Sequence, residues 1–570
     1  MKKKKGLSVL TPYLYIAPIS LILLTFVAGS LILAIYFSFT KYNIITPAEF
    51  NGLYNYQKLF RDSKLHLCIV NTLKIAVIIV PCEVISSTLL AILISTRKNT
   101  FFGKIAKAAI FIPVLSSSAV IGTVWNTILN SGAAPIKAIF GIFGIDPTLL
   151  LGSSETAFIT VALIIVWKGM GYYMIITLSA LTGISDSYYE AARVDGATSW
   201  DCLTRITLPL LKPTIIMNTF LSTISSMQVF DMVYTMTGGG PSMSTTTLSM
   251  YAYQLTFKGG KAGYAMAVSN VLMLIVFVIV LFQQRFIKRD ATEILGGVEL
   301  KTKKISNIII NLFLILITLV CILPFLYMIL MSLKSTINAY DFNFSLSELT
   351  LKHYKNIFTN PTFVRYFFNS VFVAVAGVIL TLFTSCTAGY AFAKLNFKGS
   401  DKIFFILLLS MLVPSGVILV PLYLVVRGLG WVNTFKALIL PLPTFFGVYV
   451  MRNAIMAVPS ELVESARIDG ATNGKILRSV ILPLVKSAML TVAIFTFIGA
   501  WNNFTWPLII TTEDTYRTLP LALTSMQTQY DTDIGLTMAC AACTFLPPFI
   551  FYVLLQSKFE EGMALSGMKG

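Results

Sequence analysis

The chain has 570 residues, of which 56% are hydrophobic and only 12% charged, with a formal net charge of +18. A soluble domain carries roughly twice that charged fraction, so this composition excludes a soluble enzyme or nucleic-acid binder. With a mean hydropathy of +0.79, it reads as an all-α polytopic membrane protein whose surplus Lys and Arg lie in cytoplasmic loops. No alternation of short polar and apolar segments suggests an outer-membrane barrel.

Four lysines, Lys2 to Lys5, precede an apolar run to about residue 39. A cleavable signal has a shorter apolar core and a small-residue cleavage site, whereas this run is long enough to span. It is expected to be an uncleaved first span that starts in the cytoplasm. Further spans are expected near 67–95, 106–129, 157–182, 211–236 and 263–286, each close to the ~20 residues a bilayer requires. Residues 287–304 form a polar break with charges of both signs, read as a cytoplasmic linker. Six more spans are expected near 305–333, 367–392, 403–426, 436–457, 485–510 and 536–557. The layout divides the chain into 1–286, the linker and 305–570. Of the 43 Lys and Arg residues, 27 fall in the segments this topology makes cytoplasmic and 14 in external ones. That is the bias of the positive-inside rule. Lys74 and Lys168 lie inside spans. Glu83 and Lys168 fall near mid-span and are expected to pair, because intramembrane charge is costly alone. Lys74 is expected to snorkel.

The chain is organised around a twenty-residue repeat. Residues 190–209 read EAARVDGATSWDCLTRITLP, and residues 464–483 read ESARIDGATNGKILRSVILP. They align without a gap and agree at ten positions, among them Glu190/Glu464, Arg193/Arg467, Asp195/Asp469, Gly196/Gly470, Thr198/Thr472 and Pro209/Pro483. Each copy reads as two short helices broken at its glycine, which permits φ > 0. Thr198 with Asp201 has the spacing of a capping box. Lys475 at the corresponding place removes the box from the second copy. Asp195 and Asp469, just before the turn, are read as possible caps for the helix that follows. Pro209 and Pro483 are expected to end that helix before the next span.

The pattern Glu-Ala-Ala, three residues, Gly, nine residues, Ile or Val, one residue, Leu-Pro resembles the EAA loop of ABC importer permeases. The first copy carries it at Glu190, Gly196, Ile206 and Leu208-Pro209, and the second at Glu464, Gly470, Val480 and Leu482-Pro483, with Ser465 for the middle alanine. Each half has flanking segments that sharpen the likeness. The first has Gln228-Val229-Phe230-Asp231 and then Thr237 to Pro241; the second has Trp501-Asn502-Asn503, Trp506-Pro507 and Arg517 to Pro520. These resemble the carbohydrate permeases of the maltose, multiple-sugar and glycerol-phosphate type, with two usually separate subunits joined. The resemblance implies the type I ABC importer fold, with twelve transmembrane helices in two homologous six-helix halves. It implies import of an oligosaccharide or sugar derivative by alternating access across a bacterial cytoplasmic membrane, with both termini cytoplasmic. It also implies a cytoplasmic ABC ATPase dimer carrying MgATP and an extracellular solute-binding protein. No G-x-x-x-x-G-K-[ST] loop occurs, so the chain is read as a permease without an ATPase domain or cofactor of its own.

Glu190, Asp195, Gly196, Glu464, Asp469 and Gly470 are the candidate ATPase-docking residues. A sugar pathway needs flat aromatic faces beside a few polar groups. The candidates are Gln228, Phe230, Asp231 and Tyr234 with Trp501, Asn502, Asn503 and Trp506; Tyr172 and Tyr173 are weaker ones. Cys540 and Cys543 have a redox spacing but sit in an apolar run, where helix packing is the expectation. His66 and His353 are read as loop residues without a second ligand, so no metal site is expected. Competing readings are an ion-coupled secondary transporter, an ABC permease for a non-sugar solute, and an integral-membrane enzyme.

Overall fold

The computed structural model describes residues 2–97, 100–130, 134–142, 144–290, 307–334, 349–529 and 533–567. Most of the expected linker, 291–304, lies outside the described residues. Among the described residues, seven helices are long and apolar enough to cross a membrane: Leu10–Ser38, Ser63–Ser95, Ser154–Thr182, Ala262–Gln283, Ile309–Ser332, Pro361–Lys394 and Ile534–Leu555. Two bent pairs raise the number to as many as nine.

Five expected spans are not continuous. The 106–129 span is Phe101–Leu115 and Ser118–Asn130, meeting at 101°. Pro113 lies in the last turn before the bend, Ser116 is extended, and the Ser117 hydroxyl accepts from the Val120 N–H at 3.2 Å to start the new helix. The 403–426 span breaks at Pro414, and Ser415–Gly428 begins afresh. The 436–457 span breaks between Phe435–Ile439 and Phe445–Met456, where Pro441 and Pro443 stand. Proline lacks the N–H and clashes with the preceding turn. The 211–236 and 485–510 spans break after Met227 and Trp501. His66 and His353 are helical, in Ser63–Ser95 and Lys352–Thr359. Cys540 and Cys543 are buried free thiols.

The halves are interleaved. Leu10–Ser38 packs on Ala262–Asp290 of its own half and also crosses to Pro361–Lys394 and Ser415–Gly428 of the other. Its Tyr13 hydroxyl donates to the Lys398 carbonyl at 2.8 Å, and Tyr15 lies 5.9 Å from the Tyr390 ring. Asn307–Ser332 reciprocates by packing on Phe101–Leu115. One apolar core runs through both halves, with Trp167 stacked on Phe325 and Phe325 against Phe545.

A two-fold relation also appears in the hydrogen bonds. The Asn71 amide donates to the Met243 and Thr246 carbonyls at 3.0 and 3.1 Å, and the Thr72 hydroxyl accepts from the Leu248 N–H. In the second half, Asn369 donates to Thr515 and Arg517 at 2.9 Å each, and the Ser370 hydroxyl accepts from the Leu519 N–H. These buried amides fix the loops 243–248 and 515–519, whose carbonyls would otherwise be orphaned. The same side of the molecule holds the starts of Ser63–Ser95 and Ser154–Thr182, since the Ser154 hydroxyl reaches the Pro241 carbonyl. The repeated loop at 190–209 follows the far end of Ser154–Thr182 and so lies on the opposite side.

Docking loops and the contact between the halves

Each repeated loop is a helix, a glycine turn and a second helix. Asp186–Val194 ends at Asp195, and Gly196 follows at φ +80°. The Ala197 N–H returns to the Ala192 carbonyl at 2.9 Å and the Gly196 N–H to Arg193 at 3.1 Å. This closing pair of bonds requires a left-handed residue, which favours glycine. Ser460–Ile468, Gly470 at φ +77° and the Ala471-to-Ala466 bond at 2.9 Å repeat the arrangement. Asp195 and Asp469 do not cap the following helix. Both occupy the last position of the preceding one, and the caps are Thr198 and Thr472. The Thr198 box is complete: its hydroxyl accepts from the Asp201 N–H at 3.2 Å, and the Asp201 carboxylate accepts from the Thr198 N–H at 2.9 Å. The Thr198 hydroxyl and backbone hold the Asp201 carboxyl below the usual carboxylate range. In the second copy, Thr472 alone caps, accepting from Lys475 at 3.4 Å.

Pro209 does not end its helix. A wide π turn, Leu203–Thr207, admits the proline at the start of Leu208–Met227. A matching turn, Leu477–Ile481, precedes Pro483, but there the chain bends by 84° just after Leu484.

Glu190, Asp195, Gly196, Glu464, Asp469 and Gly470 are all exposed. So are two residues sequence reading passed over: Val194 and Ile468, each 87% exposed. An apolar side chain held in water at the same place in both copies marks a surface made for contact. The paired Arg-Val-Asp-Gly and Arg-Ile-Asp-Gly strings carried that signal.

The loops stand 274 residues apart, and the same offset runs on into the membrane. Leu208–Met227 stops at Gln228 and restarts at Asp231–Met236; Lys486–Trp501 stops at Asn502 and restarts at Thr505–Ile510. Across these breaks Gln228 matches Asn502, Phe230 matches Phe504 and Asp231 matches Thr505. The matched residues meet: the Thr505 hydroxyl donates to the Asp231 carboxylate across the half boundary. The Gln228 carbonyl oxygen accepts from the Ser415 hydroxyl at 2.9 Å, while the Asn502 amide donates to the Leu115 carbonyl at 2.8 Å. Each break residue thus grips the break in the third span of the other half.

The expected pathway residues divide into two groups. Gln228, Phe230, Asp231, Tyr234 and Asn502 gather at this contact, with Tyr234 packed on Phe230 and Phe504 at 5.5 and 5.6 Å. The Asn502 carbonyl oxygen is buried with no hydrogen-bond partner among the described residues. Trp501 and Trp506 are core residues, their indole N–H groups donating to the Thr544 and Ala437 carbonyls at 2.9 and 2.8 Å. Asn503 turns inward on its own chain, accepting from the Trp506 N–H. Tyr172 and Tyr173 lie edge to face, with Tyr173 beside Glu83 and Ser222.

Glu83 and Lys168 make no direct pair among the described residues. Glu83 accepts from the Ser222 hydroxyl at 2.6 Å, and Lys168 donates to the Ser118 hydroxyl at 3.0 Å. Asp231 and Glu83 both act on Lys168 through space. Hydroxyls from two further helices separate the charges the sequence brought together. Lys74 is exposed, as snorkelling requires. No group of three or more metal-binding side chains occurs among the described residues.

This arrangement of two helical halves, each with a loop that protrudes and a broken helix that meets its counterpart, is that of a membrane transport component. The chain belongs to the family of binding-protein-dependent transport system inner membrane components, whose pattern matches residues 87–290 and again 385–564. The double match makes it a fusion of two permease units. It is 31% identical over 276 residues to the arabinooligosaccharides transport system permease protein AraQ of Halalkalibacterium halodurans, covering 47% of this chain and 99% of AraQ. It is 32% identical over 231 residues to the diacetylchitobiose uptake system permease protein DasC of Streptomyces coelicolor, covering 39% of this chain and 82% of DasC. A crystallised bacterial alginate ABC transporter, in complex with an alginate pentasaccharide-bound periplasmic protein, is 24% identical with a TM-score of 0.44, covering 49% of this chain and 94% of its own.

Proposed function

We propose that the chain forms by itself the complete carbohydrate pathway of an ATP-driven importer, moving an oligosaccharide or sugar derivative inward by alternating access. The observation that carries this is the 274-residue relation, which links two exposed loops on one face to two broken helices that touch at Asp231 and Thr505. A rotation of either loop is transmitted through the helix that follows it to that contact. Leu203–Met227 makes the link in the first half; Leu477–Leu484 and Lys486–Trp501 make it in the second. A separate ATPase dimer binds MgATP and receives Val194, Glu190 and Asp195 from one loop and Ile468, Glu464 and Asp469 from the other. An external solute-binding protein delivers the sugar. Each half contributes six spans, with broken helices counted as single crossings, and both termini lie on the ATPase side. The sugar-directed names of AraQ and DasC support the substrate class.

The test is uptake of labelled arabino-oligosaccharide into proteoliposomes holding the full chain, its ATPase and its binding protein. A Gly196→Val, Gly470→Val chain is run beside it. Neither glycine has an atom near its Cβ position, so the substitution acts on the left-handed turn rather than by collision. ATP-dependent uptake that collapses in the variant is the expected result. Uptake that continues without ATP and follows an ion gradient overturns the proposal in favour of a secondary transporter.

A further inference from the structure

On the side of the molecule opposite the repeated loops, the first half holds a cavity of 620 Å³. That is within the size range of small-ligand sites, roughly 300–1,000 Å³. Lys58, Arg61, Lys64, Lys258 and Lys261 line it, with Asp62 as the lone acidic residue. Five cations on the face where the positive-inside rule depletes them need a cause. Asp62 offsets only one of the five charges and forms no ion pair with any of them among the described residues. Its carboxylate is taken up by the Lys64 and Leu65 N–H groups at 3.0 and 3.2 Å and by the Tyr251 and Tyr264 hydroxyls at 2.7 and 2.6 Å. None of the five cations forms an ion pair among the described residues; Lys58 lies 4.6 Å over the Tyr264 ring. The two tyrosines, tied to Asp62, hold the floor of the cavity together while the cationic heads stay available.

A second observation fixes the level of the cavity. The segment that carries Lys58 and Arg61 also exposes Phe50 (79%), Tyr54 (60%) and Phe60 (83%). Exposed rings beside basic residues, Tyr54 above all, fit the membrane–water boundary, where tyrosine gathers. That setting suits cations at headgroup level. Every lining residue belongs to the first half, so the cavity is separate from the contact between the halves. We propose that this cavity is a binding site for the phosphate of an anionic phospholipid headgroup in the outer leaflet, with Arg61, Lys64 and Lys258 as its principal ligands. An acidic protein surface is the poorer match, because the segment that supplies Lys58 and Arg61 also exposes three aromatic rings that suit lipid.

The full chain in detergent is titrated with monomeric dihexanoyl-phosphatidylglycerol, with dihexanoyl-phosphatidylcholine and with inorganic phosphate. Saturable binding of phosphatidylglycerol, well above phosphatidylcholine, is expected. A juxtamembrane cation contributes roughly a fivefold factor, so Arg61→Gln with Lys258→Gln should weaken binding by about 25-fold. The control pair Lys41→Gln, Lys137→Gln, outside the cavity, should leave it unchanged. Both variants replace exposed side chains, and matching unfolding temperatures establish that they fold. Equal binding of the two lipids, or no loss in the Arg61, Lys258 variant, overturns the proposal. So does inorganic phosphate binding as tightly as the lipid, which makes the site one for free anions. Absence of lipid binding together with weakened capture of the solute-binding protein by that variant makes the cavity a protein contact and also overturns it.

Discussion

Thr505→Val removes one hydroxyl at the point where the two halves meet and keeps the side-chain shape. The Thr505 hydroxyl donates to Asp231, and a side-chain hydrogen bond contributes about 0.5–1.5 kcal/mol net. Only the arrangement with the halves in contact contains this bond, so its loss shifts the balance toward the separated arrangement by that amount. The equilibrium should move about 2- to 12-fold. In proteoliposomes this should raise ATP hydrolysis in the absence of the solute-binding protein and lower the sugar moved per ATP. Thr505→Ser keeps the donor and should behave as the parent. Equal hydrolysis and equal coupling in Thr505→Val, Thr505→Ser and the parent would refute the role given to this contact.

A Cβ at Gly169 would collide with the Glu83 carboxylate, so Gly169→Ala should cost about 1–3 kcal/mol of overpacking, read as a lower unfolding temperature. The charge reversal Glu83→Lys with Lys168→Glu should not restore the expression each single reversal loses, because Ser222 and Ser118 hold the two groups separately. Asn71→Ala and Asn369→Ala each remove two amide-to-carbonyl bonds, worth about 2 kcal/mol at about 1 kcal/mol apiece. Their effects on the unfolding temperature should add, since the sites share no partner. Burial acts to raise the Asp62 carboxyl, but four hydrogen bonds, led by Tyr264, leave it below the usual carboxylate range. Its contribution is present above the unfolded value near 3.8 and is lost as pH falls through the lower folded value. The unfolding temperature of the parent should therefore fall more steeply below about pH 4 than that of Asp62→Asn; parallel curves would refute this.

The repeat was legible because it is local. Gly196 and Gly470 announce a left-handed turn, and Thr198 with Asp201 spells out its cap within four residues. Hydropathy also found the long helices, since an apolar run of sufficient length reads the same in sequence and in structure. The breaks were harder. Pro113, Pro414, Pro441 and Pro443 stand in the sequence, yet membrane helices also carry prolines without breaking, as at Pro81 and Pro324. The breaks at Gln228 and Asn502 carry no proline at all, and partners supplied by the other half stabilise them. Pairing failed for the same reason at Glu83 and Lys168: sequence gives the depth of each charge but not which hydroxyl from a third helix reaches it first. Trp501 and Trp506 looked like pathway walls by type, and only the carbonyls of Thr544 and Ala437 reveal them as core residues.

The contact at the two-fold axis also explains why the halves differ. Matched positions face each other there, so two copies of the first half would set Asp231 against Asp231, a like-charge encounter in a setting of low dielectric. Two copies of the second half would set Thr505 against Thr505 and remove the carboxylate at this contact. The unlike pair gives one acceptor and one donor. Gln228 and Asn502 also take unlike roles, one using its carbonyl as acceptor and the other its amide as donor toward the opposite half. The contact therefore favours one first half with one second half over two first halves. Joining them in a single chain fixes that ratio. The crossing of Leu10–Ser38 and Asn307–Ser332 into opposite halves then ties the two halves together by packing as well as by the chain.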